Sequence, residues 1–419
     1  MIDFDFFIMV LLWILALSVS MPLWVLVVEC VIGLIPASLT GNRKDSTVPP
    51  SLAVLIPAHN EERVIGTTLN SLLSALPDVG RIVVVADNCT DQTAEVARSY
   101  GVDVIERHDT INRGKGFALA AGLDHLSHSP PEVVIIVDAD CTVSDNALTD
   151  LAVAAHNTNR PTQGIYLMSP PKTDDAKGVV SAFAFMVKNL ARPRGLAMLG
   201  LPVPLTGSGM AFPYPQLSTM NLATGNIVED LALGLACVER GYGPVLCDSV
   251  RIHATLPSYD TDAAATQRTR WEHGYLSTLF SVTPKLLIRG LTGFKPALIA
   301  AAIDLAVPPL SLLVLLACCV WLFLVTIGLM AGSLAPAWFL GLTLVIAGSV
   351  LLLCWARYGR GYLPLRSFLS IPGYILWKLP IYARFLVRRE SSWIRTERNT
   401  SHADTTGQSN TRPHDGASY

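Results

Sequence analysis

The hydrophobic positions fall into long unbroken stretches at the two ends of the chain and short, spaced runs between them. Phe6–Val28 is apolar and free of charge, and a bilayer span takes about 20 such residues. No basic segment precedes it, and its apolar core is too long for a cleaved secretory signal, so an uncleaved anchor is expected. From Leu52 the pattern changes. Leu52–Ile56, Arg81–Ala86 and Val102–Glu106 predict strands. Helices are predicted from Asn60 as N-cap through Leu73, over Thr90–Tyr100, and after Gly114-Lys115-Gly116 through Leu126. The fourth strand lies in Glu132–Cys141, EVVIIVDADC, an unbroken β-branched run of the kind buried in parallel sheets. Alternating strands and helices over roughly 100 residues predict an α/β fold with a doubly wound, mainly parallel sheet.

Beyond Leu151 the pattern is less regular. Lys188–Pro204 contains Arg192-Pro193-Arg194-Gly195 and reads as a loop or partly ordered flap, Arg192–Pro204 being a candidate acceptor-binding flap. Gly207-Ser208-Gly209 is a glycine turn. Glu229-Asp230 opens an amphipathic helix, Leu231–Arg240, and Thr266–Tyr275 is expected to be helical. Leu305–Ala356 carries no charge and is long enough for two spans of about 20 residues. Their turn is predicted at Gly332–Pro336, with Asp304 and Pro308-Pro309 marking a broken start to the first. Tyr362–Val387, apolar but punctuated by prolines and basic residues, reads as an interfacial helix, and Thr396–Tyr419 as a disordered polar tail. The expected domains are an N-terminal anchor (1–40), a cytosolic α/β domain (50–280), an interfacial segment (281–304), two membrane helices (305–356), a basic interfacial segment (357–390) and a tail (391–419).

Charge orients these elements. Asp3 and Asp5 precede the first span and Arg43 and Lys44 follow it, while Arg357, Arg360 and Arg366 follow the last. Both ends of this bias put the middle of the chain in the cytosol, as a multi-pass protein of the inner (plasma) membrane. A composition of 51% hydrophobic and 15% charged residues is too apolar for an ordinary soluble protein of this length. The net charge of −2 gives no case for nucleic acid as a partner. None of the 8 cysteines forms a CxxC pair, so reduced thiols are expected rather than disulfides or zinc.

Candidate chemistry sits at strand ends. Asp138 and Asp140 follow the fourth strand, where open α/β sheets bind ligands, and hard carboxylate oxygens there suit Mg²⁺ or Mn²⁺. Each polar site also has a plainer reading: Asp87 and Asp91 as turn residues, Lys115 as a solvated loop charge, Glu229 and Asp230 as a favourable first helical turn, and Arg268, Arg270 and Trp271 as membrane-surface anchors.

Taken in order, IPAHNEE (Ile56–Glu62), ADNCTDQT (Ala86–Thr93), GKG (Gly114–Gly116), DAD (Asp138–Asp140), ED (Glu229-Asp230) and QRTRW (Gln267–Trp271) resemble the inverting family 2 glycosyltransferases with the GT-A fold. The resemblance covers Leu52–Tyr275 and implies roles. Ala58, Glu61 and Asp87 would hold the nucleobase and ribose, and Lys115 would position the nucleotide. Asp138 would meet the ribose or the metal shell, and Asp140 would bind Mg²⁺ or Mn²⁺. Asp230 would be the general base, with Glu229 orienting it. Gln267, Arg270 and Trp271 would close the site, Arg270 on the diphosphate and Trp271 on the acceptor sugar, and Gly207, Ser208 and Gly209 would line the acceptor.

The QRTRW element belongs to processive polysaccharide synthases and to single-addition enzymes of the ceramide glucosyltransferase type alike. Leu305–Ala356 offers almost no polar lining for a sugar channel, which favours addition to a lipid-linked or glycolipid acceptor in exopolysaccharide or glycolipid assembly, with a uridine nucleotide sugar as donor. Other polysaccharide-assembly proteins are expected partners. A processive synthase is the alternative. A catalytically inactive scaffold is a second, disfavoured by the presence of both Asp140 and Asp230.

Overall fold

In β1, Leu52–Ala58, the odd and even residues face different cores: Leu52, Val54 and Ile56 pack in one apolar cluster, Ala53 and Leu55 in another. The same division holds in β2, where Ile82 and Val84 oppose Val83 and Val85. A strand covered on both faces needs apolar residues at every position, which is why these runs do not alternate. The computed structural model describes residues 4–36, 48–170, 175–225, 228–256, 262–361 and 363–387. The linker basic pair Arg43 and Lys44 and the tail Thr396–Tyr419 lie outside the described residues.

In chain order, helix α1 (Phe4–Gly33) is followed by β1, α2 (Ile65–Ala75), β2 (Gly80–Asp87), α3 (Thr93–Ser99), β3 (Asp103–Arg107), α4 (Lys115–Ser127) and β4 (Val133–Ile136). Next come β5 (Thr142–Val143), α5 (Ala147–Thr158), β6 (Thr162–Ser169), α6 (Ala176–Met186), a π turn (Val187–Ala191), α7 (Arg192–Met198), β7 (Met210–Pro213), α8 (Tyr214–Leu217), α9 (Glu229–Glu239) and β8 (Val245–Thr255). The remainder is helical: α10 (Asp262–Ser281), α11 (Thr283–Thr292), α12 (Pro296–Leu305), α13 (Leu310–Met330), α14 (Ala335–Cys354) and α15 (Ile371–Val387). The sheet order is β3-β2-β1-β4-β7-β6-β8-β5. Strands β3, β2, β1 and β4 are parallel, and β7 joins β4 and β6 antiparallel. The sheet is thus mixed but mainly parallel, and its carboxyl edge opens between β1 and β4, where the direction of winding reverses.

Three local expectations are corrected. The strand at Leu52 does not end at Ile56: it pairs with β2 as far as Ala58. The following helix does not begin at Asn60, which takes a left-handed φ of 55° and instead exchanges hydrogen bonds with Thr90; α2 starts at Ile65. Lys188–Pro204 is not a loop throughout: only the part after Met198 lacks regular structure. The chain stays helical through Met198: the π turn Val187–Ala191 leads directly into α7, and Pro193 falls just after this shift in the hydrogen-bond register.

Helices α1, α13 and α14, the last extended to Gly359, are long and apolar enough to cross a membrane. They pack as one bundle with its own apolar cluster, while Phe7, Leu11, Ile14, Leu322, Leu342 and Val345 face outward. The break between α13 and α14 falls within the predicted turn, around Gly332.

The bundle is joined to the α/β domain at a backbone contact. A Cβ added to Gly33 of α1 would stand 2.0 Å from the Ala191 carbonyl oxygen, and one on Gly195 of α7 would stand 2.0 Å from that of Glu29. Beside this contact Arg192 donates to Glu29 (Nε to Oε2, 2.6 Å) and to Asp304 (Nη2 to Oδ1, 2.6 Å), with all three side chains largely buried. A further tie holds α15: Lys378 donates to Glu272 of α10 and to Ser311 of α13.

Candidate active site

The turn at Gly207–Gly209 is stitched to the end of β4. The Gly209 N–H donates to the Ile136 carbonyl at 2.9 Å, and the Asp138 N–H donates to Ser208 Oγ at 3.1 Å. Buried Gln163 holds the turn from behind, donating to the Ser208 carbonyl and accepting from the Thr206 N–H, both at 2.9 Å. From the other side Thr68 of α2 donates to the Ala139 carbonyl at 2.8 Å, so the DAD segment is fixed at both ends.

Gly207 is the meeting point of the acidic residues. Its φ is +96°, and a Cβ there would lie 3.3 Å from Asp230 Oδ2, 3.7 Å from Lys115 Nζ and 3.9 Å from Asp138 Oδ2. Lys115, at the start of α4, donates to the Gly207 carbonyl at 2.6 Å and to Asp138 Oδ1 at 2.6 Å, and stands 3.6 Å from Glu229 Oε1. These charges tune one another. Burial works against the Lys115 ammonium, but Asp138, Glu229 and Asp230 outweigh it and hold its pKa above the usual lysine value. Burial raises the Asp138 carboxyl despite Lys115. Burial also pushes Glu229 up to about 7, with Lys115 opposing and Asp230 assisting. The guanidinium of Arg270 is pulled down by burial, against the attraction of Glu229 and Asp138.

The donor set at the strand end fits a hard divalent cation. Asp138, Asp140 and Cys141 carry ligand atoms within 4.8 Å of one another. Mg²⁺ and Mn²⁺ prefer carboxylate oxygen to sulfur, so the two carboxylates are the fitting ligands. Lys115 engages Asp138 through Oδ1, while Oδ2 faces Gly207. Two carboxylates leave coordination positions for phosphate oxygens, the usual arrangement for Mg²⁺ or Mn²⁺.

A cavity of about 890 Å³ collects most of the predicted residues: Glu61, Lys115, Asp138, Asp140, Gly207, Glu229, Asp230, Arg270 and Trp271 all line it. Others stand behind it. Ala58 is buried at the end of β1, and Asp87 accepts from Arg107 at 2.6 Å and shapes the β2 edge. Ser208 is fully buried, and Gly209 abuts Ile252. Gln267 falls on α10, but its side chain lies outside the described residues.

The cavity also has a wall of which sequence reading singled out only the Arg192–Pro204 segment, whose Arg192 and Pro204 both line it. Lys188, Arg192, Tyr275, Glu272 and Lys378 line it, as do Leu26 of α1 and Val307–Leu310 at the start of α13. The available signal was charge at a membrane border: Glu29 and Asp304 stand at the ends of apolar stretches, and the basic Arg192 segment supplies their partner.

A family model described as glycosyltransferase like family 2 matches residues 49–274. Curated relatives include the 4,4'-diaponeurosporenoate glycosyltransferases of Staphylococcus aureus strains RF122 and USA300, 41% and 40% identical over 95 residues. That match covers 22% of this chain and spans about a quarter of the relatives' length, 24%. Among solved structures, a mannosyltransferase from Pyrobaculum calidifontis in complex with GDP-Man and Mn²⁺ superposes with a TM-score of 0.54 at 20% identity, covering 90% of this chain and 100% of that one. The likeness establishes the fold, a GT-A α/β sheet carried on apolar helices.

Proposed function

The chain belongs to the glycosyltransferase-like family 2, and from that premise we propose that it moves a sugar from a nucleotide diphosphate donor to a membrane-resident amphiphilic acceptor, with inversion at the anomeric carbon. One observation carries the reading. The carboxylates of Asp138 and Asp140, suited to a cation, and that of Asp230, suited to a base, share a cavity that runs on to Leu26 and Leu310 of the membrane helices. A divalent cation held by Asp138 and Asp140 would neutralise charge on the departing diphosphate.

The roles of the chain's own groups follow from their neighbours. Arg270 binds diphosphate oxygens through its planar fork. Lys115, kept charged by its three acids, holds Asp138 in place and offsets the negative field at the donor. Asp230 takes the proton of the attacking hydroxyl, so that the acceptor oxygen bonds to the anomeric carbon as the diphosphate leaves with its electron pair. Glu229 keeps Lys115 aligned, and Trp271 offers a flat face to the sugar. Glu61 belongs to the nucleoside end. Ala58 and Asp87 support that end from behind, and Ser208 and Gly209 keep the turn in shape. The Mn²⁺ named with the mannosyltransferase supports a divalent cation, and the diaponeurosporenoate of the curated relatives supports an apolar acceptor. The cytosolic placement of the domain is supported by the basic residues after α1 and α14.

The test is a donor panel of UDP- and GDP-sugars with the full-length protein in nanodiscs, Mn²⁺ and bacterial lipid extract, with products read by mass. One added sugar per acceptor is expected. Product ladders would reinstate the processive reading, and unchanged transfer by Asp230→Asn would remove Asp230 as the base.

A further inference from the structure

Lys188 lies in the π turn between α6 and α7, an irregularity that interrupts helical bonding and is frequent at functional sites. Its neighbours Val187 and Asn189 are buried, while its own side chain stands exposed within the cavity. The ammonium rests 5.6 Å from the centre of the Tyr275 ring. Among the described residues it has neither a hydrogen-bond nor an ion-pair partner.

The other cations in this part of the cavity are committed. Lys115 holds Asp138, Arg192 holds Glu29 and Asp304, and Lys378 holds Glu272. The charged groups that act most strongly on Lys188 are Asp230, Arg192, Glu272 and Asp304. Arg192, Glu272 and Asp304 are engaged with one another or with Lys378, which leaves Asp230 sharing the chamber with Lys188. An ammonium that is exposed to this cavity and holds no ion pair of its own can meet an anionic ligand entering it through charge-assisted hydrogen bonds. Past Lys188 the wall turns apolar, through Leu26, Val307 and Leu310 at the ends of membrane helices.

We propose that Lys188 determines acceptor specificity by binding an oxyanion carried beside the acceptor hydroxyl, so that the acceptor is an anionic amphiphile whose hydrocarbon tail passes Leu26 and Leu310 into the bilayer. The inference rests on the transfer reading above for the word acceptor, and on the geometry alone for the anion and the tail. Carboxylate and phosphate headgroups both satisfy a single ammonium, which acts as a point charge without the planar preference of an arginine.

The experiment uses full-length protein in detergent micelles and measures equilibrium binding of radiolabelled hexadecanoate, hexadecyl phosphate and hexadecanol, without any sugar donor. At least one anionic amphiphile is expected to bind tenfold or more tighter than hexadecanol. Lys188→Met should abolish that difference and Lys188→Arg should keep most of it. UDP binding in Mn²⁺ should be unaltered in both variants, which also reports that they are folded. Inorganic phosphate should compete weakly, since it lacks the tail. The proposal is overturned if hexadecanol binds as well as the anions in the wild-type protein, a comparison that needs no variant. It is equally overturned if inorganic phosphate competes as strongly as hexadecyl phosphate, or if Lys188→Met weakens UDP instead of the amphiphiles. Sugar transfer to neutral lipid with no anion preference would sink this inference and leave the proposed transfer intact. Absence of any transfer, with anion binding as expected, would do the reverse.

Discussion

At Gly207, a positive φ and the ring of Asp230, Lys115 and Asp138 coincide, so one methyl group is informative. Gly207→Ala should cost about 1–2 kcal/mol of stability from backbone strain and reduce transfer more than donor binding, because the new Cβ crowds Asp230. Equal loss of both would argue for a merely structural turn. Asp230→Asn should lower kcat by about 100- to 10,000-fold, the range for a lost general base, with UDP affinity preserved. Glu229 carries a pH dependence. Its folded pKa of about 7 lies above the ordinary 4.5, so the folded protein prefers it protonated. Below pH 4.5 it has no effect. As pH rises to 7 its burial costs increasingly more, reaching about 3 kcal/mol at most. In metal-free buffer Glu229→Gln should therefore raise the melting temperature more at pH 8 than at pH 5, and an equal rise at both would contradict the burial argument.

Among the helices, the informative contact is the crossing of α1 and α7, where two backbones touch and no side chain intervenes. Gly195→Val forces the helices apart and should cost about 1–3 kcal/mol, the range for overpacking. Arg192→Met should cost more, about 3–5 kcal/mol, because it leaves Glu29 and Asp304 buried without their partner. Both are read as melting temperature in detergent. A neutral result for Arg192→Met would mean that water reaches the pair. This crossing also accounts for the continued helix. Glycine and proline at Pro193 and Gly195 read locally as loop formers, but Pro193 follows directly on the π turn and Gly195 admits the backbone of α1.

Among the described residues, parts of the bundle, the sheet and helix α15 line one chamber that reaches from the sheet edge to the ends of the apolar helices. The proposed cytosolic placement of the α/β domain requires the turn between α13 and α14 to emerge on the opposite side. An impermeant thiol reagent should label Ser333→Cys in intact cells and Val48→Cys only after lysis. Labelling in the reverse order would invert the orientation and the origin of the donor with it.

The spans, the parallel strands and the order of the acidic motifs were determined by sequence alone, because span length, two-sided burial and residues at strand ends are local properties. Contacts between distant segments were decided only by tertiary structure. Arg192 meets Glu29 across 163 positions and Asp304 across 112, and no periodicity records such a meeting. The isolation of Lys188 is of the same kind, since it depends on which neighbouring charges have already found partners.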